Sequence, residues 1–168
     1  MIFLERNEAQ TRRDLIDPKL FERGWTNDLI KVEVIPGGTD IVGGKPVRRK
    51  GRSDYLLCLS VIEGMPPMPI AVLEAKKESS SPSQGLQQAY NYATKFNVLF
   101  SFSTNGHLFS SFAKDIDRII NNIPLEQFPT PENLRERYEA YQRINLQSEE
   151  AKAIFMRYKG GEALRFYF

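Results

Sequence analysis

Residues 51–77, GRSDYLLCLSVIEGMPPMPIAVLEAKK, decide the fold. They read as two β-strands joined by a short Gly/Pro loop: residues 53–62, with Asp54 at the start, and residues 69–75, an apolar run that leads into Glu74-Ala75-Lys76. Side chains alternate faces along a strand, so Glu74 and Lys76 point one way and Ala75 the other. A short loop makes the pair an antiparallel hairpin. The start of the first strand then lies beside the end of the second, and Asp54 comes close to Glu74 and Lys76. Register is set by face, because a slip of one residue turns every side chain over. Asp54 is therefore expected opposite Glu74 or Lys76, with Gly64 or Met65 at the loop centre.

Two carboxylates and a lysine at a sheet's end suit metal-assisted hydrolysis of a phosphodiester. Magnesium takes hard oxygen ligands, usually one or two carboxylates plus waters and substrate phosphate. A bound divalent ion activates water and neutralises phosphoryl charge. A neighbouring lysine can orient the water or stabilise the phosphate. Acid-x-Lys also occurs at Asp17-Pro18-Lys19 and Glu150-Ala151-Lys152. The first carries a proline at a helix end and the second lies in a charged helical stretch, so neither ends a buried strand.

The chain has 168 residues, enough for one domain with a substantial core. Its net charge of +2 is too small to argue for a nucleic-acid partner by itself. The single cysteine, Cys58, excludes an intramolecular disulfide and a Cys-rich zinc site, and its apolar strand makes it a core residue. The single histidine, His107, argues against sites built on several histidines. No apolar window is long enough to span a membrane. The N-terminus lacks the basic-then-apolar pattern of a secretory signal. A soluble, cytoplasmic setting is expected.

Residues 7–23 read as the first helix, with Asn7 as N-cap, Gln10 completing a capping box and Gly24 as the stop. Trp25 is expected to pack at its end. Residues 29–35 read as a strand half covered by core. Residues 37–52, GGTDIVGGKPVRRKGR, read as a loop that a short strand at 40–42 interrupts. Gly43-Gly44-Lys45 is not a phosphate-binding P-loop: Thr39 stands where the first glycine should be, Pro46 replaces Ser/Thr, and no helix follows. Lys45, Arg48, Arg49, Lys50 and Arg52 put five positive charges just before Asp54. They read either as a solvated loop or as phosphate contacts that position a nucleic acid.

Residues 84–96 read as a helix with Leu86, Ala89, Tyr90 and Ala93 on its packing face and Gln88 and Tyr92 on another. Residues 97–103 and 107–113 read as strands joined at Asn105-Gly106, a strong hairpin signal. Residues 115–122 are expected to form a short helix, 124–131 a connector, and 132–142 and 148–158 amphipathic helices. The order α-β-β-β-α-β-β implies an α/β (α+β) fold with a mixed central sheet flanked by helices. A core over residues 1–113 and a mainly helical extension over 114–168 are expected.

These residues resemble the PD-(D/E)xK nuclease superfamily. Asp54, Glu74-Ala75-Lys76 and the element order carry the resemblance, with Ser53 where proline usually precedes the aspartate. The helix motif Gln88-x-x-x-Tyr92 is similar to that of the endonuclease domain in the motor (restriction) subunit of Type I restriction–modification enzymes. The opening NEAQTRRDLIDPKL before Gly24-Trp25, the turn Ser103-Thr104-Asn105-Gly106 and the final LRFYF also fit. The resemblance is closest over residues 7–109, and residues 114–162 carry no matching motif. It implies that Asp54 and Glu74 hold Mg2+ with the Ala75 carbonyl, and that Lys76 is the catalytic lysine. It further implies that Gln88 and Tyr92 contact DNA or support the site, that Glu8 lies beside it, and that Arg48, Arg49 and Arg52 approach the backbone. The implied activity is cleavage of double-stranded DNA after ATP-driven translocation by the helicase motor of the same subunit. Methylation and specificity subunits would be partners, and no ATP would be used by this domain. The competing expectation is a catalytically silent module that docks DNA or subunits. Two converging, mutually repelling acids favour catalysis.

Overall fold

Asn7 opens the chain's first helical run with the expected capping box. Its side chain accepts from the Gln10 N–H at 2.9 Å, and the Gln10 side chain accepts from the Asn7 N–H at 3.0 Å. The computed structural model describes residues 4–37, 39–48 and 51–157. The run is α1 (Glu8–Thr11), one π-helical stretch (Arg12–Ile16) and α2 (Asp17–Glu22). Pro18, in the first turn of α2, cannot donate the hydrogen bond a continuous α-helix would need, and the wider π stretch lies just before it. Gly24 ends the run at φ +89°, and Trp25 is fully buried with its indole N–H donating to the Pro129 carbonyl.

Among the described residues, eight strands follow: β1 (Ile30–Val34), β2 (Thr39–Val42), β3 (Lys45–Arg48), β4 (Ser53–Leu59), β5 (Met68–Ala75), β6 (Phe100–Thr104), β7 (Leu108–Ala113) and β8 (Arg118–Pro124). Six form one mixed sheet in the order β1-β4-β5-β6-β7-β8. Only β5 and β6 pair in parallel, because α3 (Leu86–Phe96) carries the chain across between them. One face of the sheet packs Tyr55, Leu57, Leu73, Phe100 and Phe102 against Ile16 and Leu20 of the first run and Leu134 and Tyr138 of α4 (Pro131–Gln142). The other face packs Leu56, Cys58 and Val72 against Ala89, Tyr92, Ala93 and Phe96 of α3.

The expected mixed sheet and central hairpin are present. Residues 115–122 are a correction: instead of a short helix, they turn at Asp117 (φ +48°) and enter β8, antiparallel to β7. Ile119, Ile120 and Ile123 are β-branched and suit a pleated surface better than a helix. The main core continues through Leu125, Phe128, Leu134, Tyr138 and Leu146, all buried. Residues 37–52 also hold more order than expected: β2 and β3 form a separate two-stranded ribbon across a Gly43–Gly44 turn. Both glycines have positive φ, as a tight hairpin turn needs, so the Gly-Gly-Lys sequence serves a turn. α4 matches the helix expected at 132–142, and α5 (Glu149–Arg157) falls within the one expected at 148–158. The closing LRFYF lies outside the described residues.

The β6–β7 turn braces the first helical run. The Asn105 side chain accepts from the N–H groups of His107 and Leu108 and donates to the Ser80 carbonyl. Gly106, at φ +92°, sits so close that a Cβ there would fall 2.8 Å from Leu15 Cδ1 and 2.9 Å from Thr11 Cγ2. Gly106→Ala should therefore cost about 2–4 kcal/mol in urea unfolding, from strained φ and overpacking together. A loss under about 0.5 kcal/mol would mean that the run moves away without cost.

Candidate active site

The β4–β5 register brings the acids together. Tyr55 pairs with Leu73, so the next pair outward is Asp54 with Glu74, one of the two expected alternatives. A bulge at Leu57/Cys58 shifts the far end of the ladder by one residue and leaves the near end in register. The Asp54 N–H donates to Glu74 Oε1 at 3.2 Å, and Asp54 Oδ2 accepts from the Ala75 N–H at 2.8 Å. Glu74 is only 1% exposed, walled by the sheet and the start of α3. Burial, and then contact with the Asp54 carboxylate, hold the Glu74 carboxyl far above the usual carboxylate range. Two acids in contact with too little positive charge between them are a donor set suited to a hard divalent cation.

Lys76 lies two residues beyond Glu74, and its backbone N–H donates to the Thr104 carbonyl at 2.8 Å. Its Nζ donates to Gln88 Oε1 at 3.2 Å. Gln88 is thus an exposed prop for the lysine. Tyr92, one turn on, is buried with Leu56, Cys58 and Val72. Its hydroxyl abuts Gly51, where a Cβ would fall 2.5 Å from Tyr92 Oη. Of the two motif residues on α3, one holds the lysine and the other supports the chain entering β4.

Two contributors escaped the sequence reading. Arg12, in the π stretch, reaches Asp54: Nη1 is 3.6 Å from Asp54 Oδ1, and Nη2 donates to the Asp54 carbonyl at 3.4 Å. It also lies over the Tyr55 ring, 4.9 Å from its centroid. Its signal in sequence was a polar residue on the first helix; which strand that helix faces is a tertiary fact. Gly85, before α3, is the second. A Cβ there would fall 2.7 Å from Ser103 Oγ, 2.9 Å from Lys76 Cε and 3.2 Å from Glu74 Cβ. Gly85→Ala should displace Lys76 and slow cleavage by about 10–100-fold, since small misplacements of a catalytic group are costly. A folded Gly85→Ala protein that cleaves at the parental rate would show the lysine has room to spare.

The remaining expected residues fall as follows. Glu8 is exposed in the first turn of α1, and neither a hydrogen bond nor an ion pair joins it to the site among the described residues. Arg52 is exposed and lies 3.8 Å from Glu33. The Arg48 backbone ends β3, and Arg49 lies outside the described residues. Cys58 is buried in the α3 interface, and burial pushes its thiol up to about 12, which fits a core residue. His107 pairs with Glu78 at 2.9 Å and stands apart from the acids, while Arg6 reaches the same Glu78 at 3.1 Å. Among the described residues, His, Cys, Asp and Glu side chains form no group of three or more arranged to hold a metal ion. A cation at the Asp54–Glu74 pair would therefore rely on backbone oxygen, water and substrate for its other ligands. No described helix is long and apolar enough to cross a membrane.

An α/β domain with a mixed six-stranded sheet and paired acids at the end of its central hairpin has the architecture of a nuclease-like fold. No protein-family profile matches the chain. It is 31% identical over 136 residues to the endonuclease subunit of the Type I restriction enzyme EcoAI of Escherichia coli, a match over 78% of this chain and 16% of that subunit. It also superposes on a fragment of a protein assigned as an HsdR subunit of a type I restriction enzyme from Vibrio vulnificus YJ016. That match has a TM-score of 0.67 and 36% identity, over 85% of this chain and 27% of that one. The chain is thus similar in sequence to part of an endonuclease subunit of a Type I restriction enzyme and shares the nuclease-like fold of an HsdR fragment. It spans about a sixth of the curated relative and about a quarter of the solved one.

Proposed function

We propose that this chain is a metal-dependent DNA endonuclease domain that hydrolyses phosphodiester bonds of double-stranded DNA. The observation that carries the reading is the Asp54–Glu74 pair, held in backbone hydrogen bonds within reach of a propped lysine. Mg2+ would be held by Asp54, Glu74 and the Ala75 carbonyl. When bound, it would supply charge neutralisation at the phosphate and a more acidic water. The chain's own groups do the positioning. Asp54 is fixed by the Ala75 N–H on one side and faces Arg12 on the other. Lys76 offers three N–H donors, of which one is held by Gln88, leaving others for the attacking water or a phosphate oxygen. Glu74 is buried and Asp54 partly so, which strengthens the charge–charge contacts between them.

By homology, the domain would work in the cytoplasm as part of a Type I restriction assembly. The helicase motor of the same subunit would use ATP to translocate DNA, and methylation and specificity subunits would choose the site. This domain would itself use no ATP. Supercoiled plasmid incubated with the chain and Mg2+ tests the core of the proposal. Nicking that EDTA abolishes and that Asp54→Ala lacks is the expected result, slow in the isolated domain because five basic residues supply only salt-sensitive attraction to DNA. DNA binding without metal-dependent nicking, even in the complete assembly, would leave a silent docking module.

A further inference from the structure

The side chains described on the β2–β3 ribbon are exposed on both faces. Ile41 and Pro46 pair on one, Val42 and Lys45 on the other, and Ile41 and Val42 are 71% and 61% exposed. Val47 is exposed too. A lone two-stranded hairpin is marginal in water, and three uncovered β-branched side chains do nothing to stabilise it. Its tip is narrow: Gly43 and Gly44 turn at φ +58° and +77° with open space around each. The ribbon emerges where β1 and β4 pair through Val34 and Ser53, next to Asp54. Gly51, just before β4, has the Tyr92 hydroxyl packed against it. The tip at Gly44 and Asp54 are roughly ten residues apart, at most ~34 Å of extended chain. That is about one turn of duplex DNA.

Charge decides what covers the ribbon. Residues 39–52 contain Lys45, Arg48, Arg49, Lys50 and Arg52 against one acid, Asp40. A basic, apolar-sided ribbon suits a polyanion with apolar edges in a groove. The major groove is wide enough for a two-stranded β-ribbon, and it displays thymine methyl groups to apolar side chains. We propose that β2–β3 is a DNA-binding ribbon laid by its Ile41–Pro46 face in the major groove of the duplex being cut, with Ile41 against base edges and the long Lys45 side chain, beside the tip, reaching a flanking phosphate. This rests on the DNA-cleavage reading and adds how the duplex is held.

The test measures binding apart from cleavage. Affinity of the full chain for a labelled duplex is read by anisotropy in EDTA across a salt series, with thymine and with uracil in its place. The parent should bind the thymine duplex at least about 3-fold more tightly than the uracil duplex. Ile41→Ser/Val42→Ser should weaken binding about 5–20-fold, erase the thymine preference and keep the salt slope, and Ile41→Ser alone should do the same because Val42 lies on the other face. Lys45→Ala should lower that slope by about 0.9 and keep the preference. Ile119→Ser, an exposed apolar position on β8, serves as control and should change nothing. Equal affinity of the parent for both duplexes, or parental binding by the double variant, overturns the proposal. So does a double variant that binds DNA normally but no longer associates with another protein subunit. Plasmid nicking in Mg2+ is scored separately: ribbon-dependent binding without nicking removes the nuclease reading and leaves the ribbon. Nicking with ribbon-independent binding does the reverse.

Discussion

Lys76→Ala should lower the single-turnover nicking rate by about 10²–10⁴-fold at saturating Mg2+, the range for losing a positioned proton-transfer or charge-stabilising group. The half-saturating Mg2+ concentration should stay near the parental value, because the lysine holds no metal. Asp54→Ala and Glu74→Ala should abolish cleavage by the other route, raising the Mg2+ requirement beyond the accessible range. Lys76→Arg should not rescue, since a planar guanidinium cannot replace a compact ammonium beside a water. Gln88→Ala frees the Lys76 ammonium without removing it and should cost about 10-fold. The order Lys76→Ala well below Gln88→Ala, with both below parent, is the signature of a propped lysine. A Lys76→Ala protein that nicks at the parental rate would end the proposed mechanism.

Glu74→Gln should stabilise the metal-free protein at pH 8 by about 1–3 kcal/mol in urea unfolding. The unfolded glutamate titrates near 4.3. In the fold, burial and the Asp54 carboxylate push it up to about 9. Between those values the folded state binds more protons than the unfolded one, so stability falls as pH rises. The contribution is whole below about pH 4 and is lost progressively toward pH 9. Parent protein in EDTA should therefore be weaker at pH 8 than at pH 5, with the difference reduced in Glu74→Gln. Millimolar Mg2+ should recover most of it for the parent and little for the variant, because a ligand that binds only the fold stabilises it by mass action. Parallel pH profiles for parent and variant would show that Glu74 is not the group under tension. Such stability loss at a site, relieved by a ligand, is the usual cost of gathering like charges for chemistry.

Much of this molecule could be read from local pattern. The capping box at Asn7 and Gln10, the Asn105-Gly106 turn, α3 and the face shared by Asp54, Glu74 and Lys76 follow from short-range rules of hydrogen bonding and two-residue alternation. Each is decided by groups a few residues apart, or by a hairpin whose short loop leaves few registers. What tertiary structure alone decided involves residues with no sequence relation. Arg12 meets Asp54 because the first helical run packs beside β4, and Gly85 must be small because Lys76, just past β5, and Ser103 of β6 crowd it. Gln88 and Tyr92 share a helix face, but only packing sends one to Lys76 and buries the other under Gly51. Residues 118–124 became a strand because β7 offered an edge, a pairing that a helical reading of a short polar-flanked stretch cannot anticipate. Local chemistry determined which residues could form the site; long-range packing determined which neighbours hold them, because burial and close approach are properties of the folded whole.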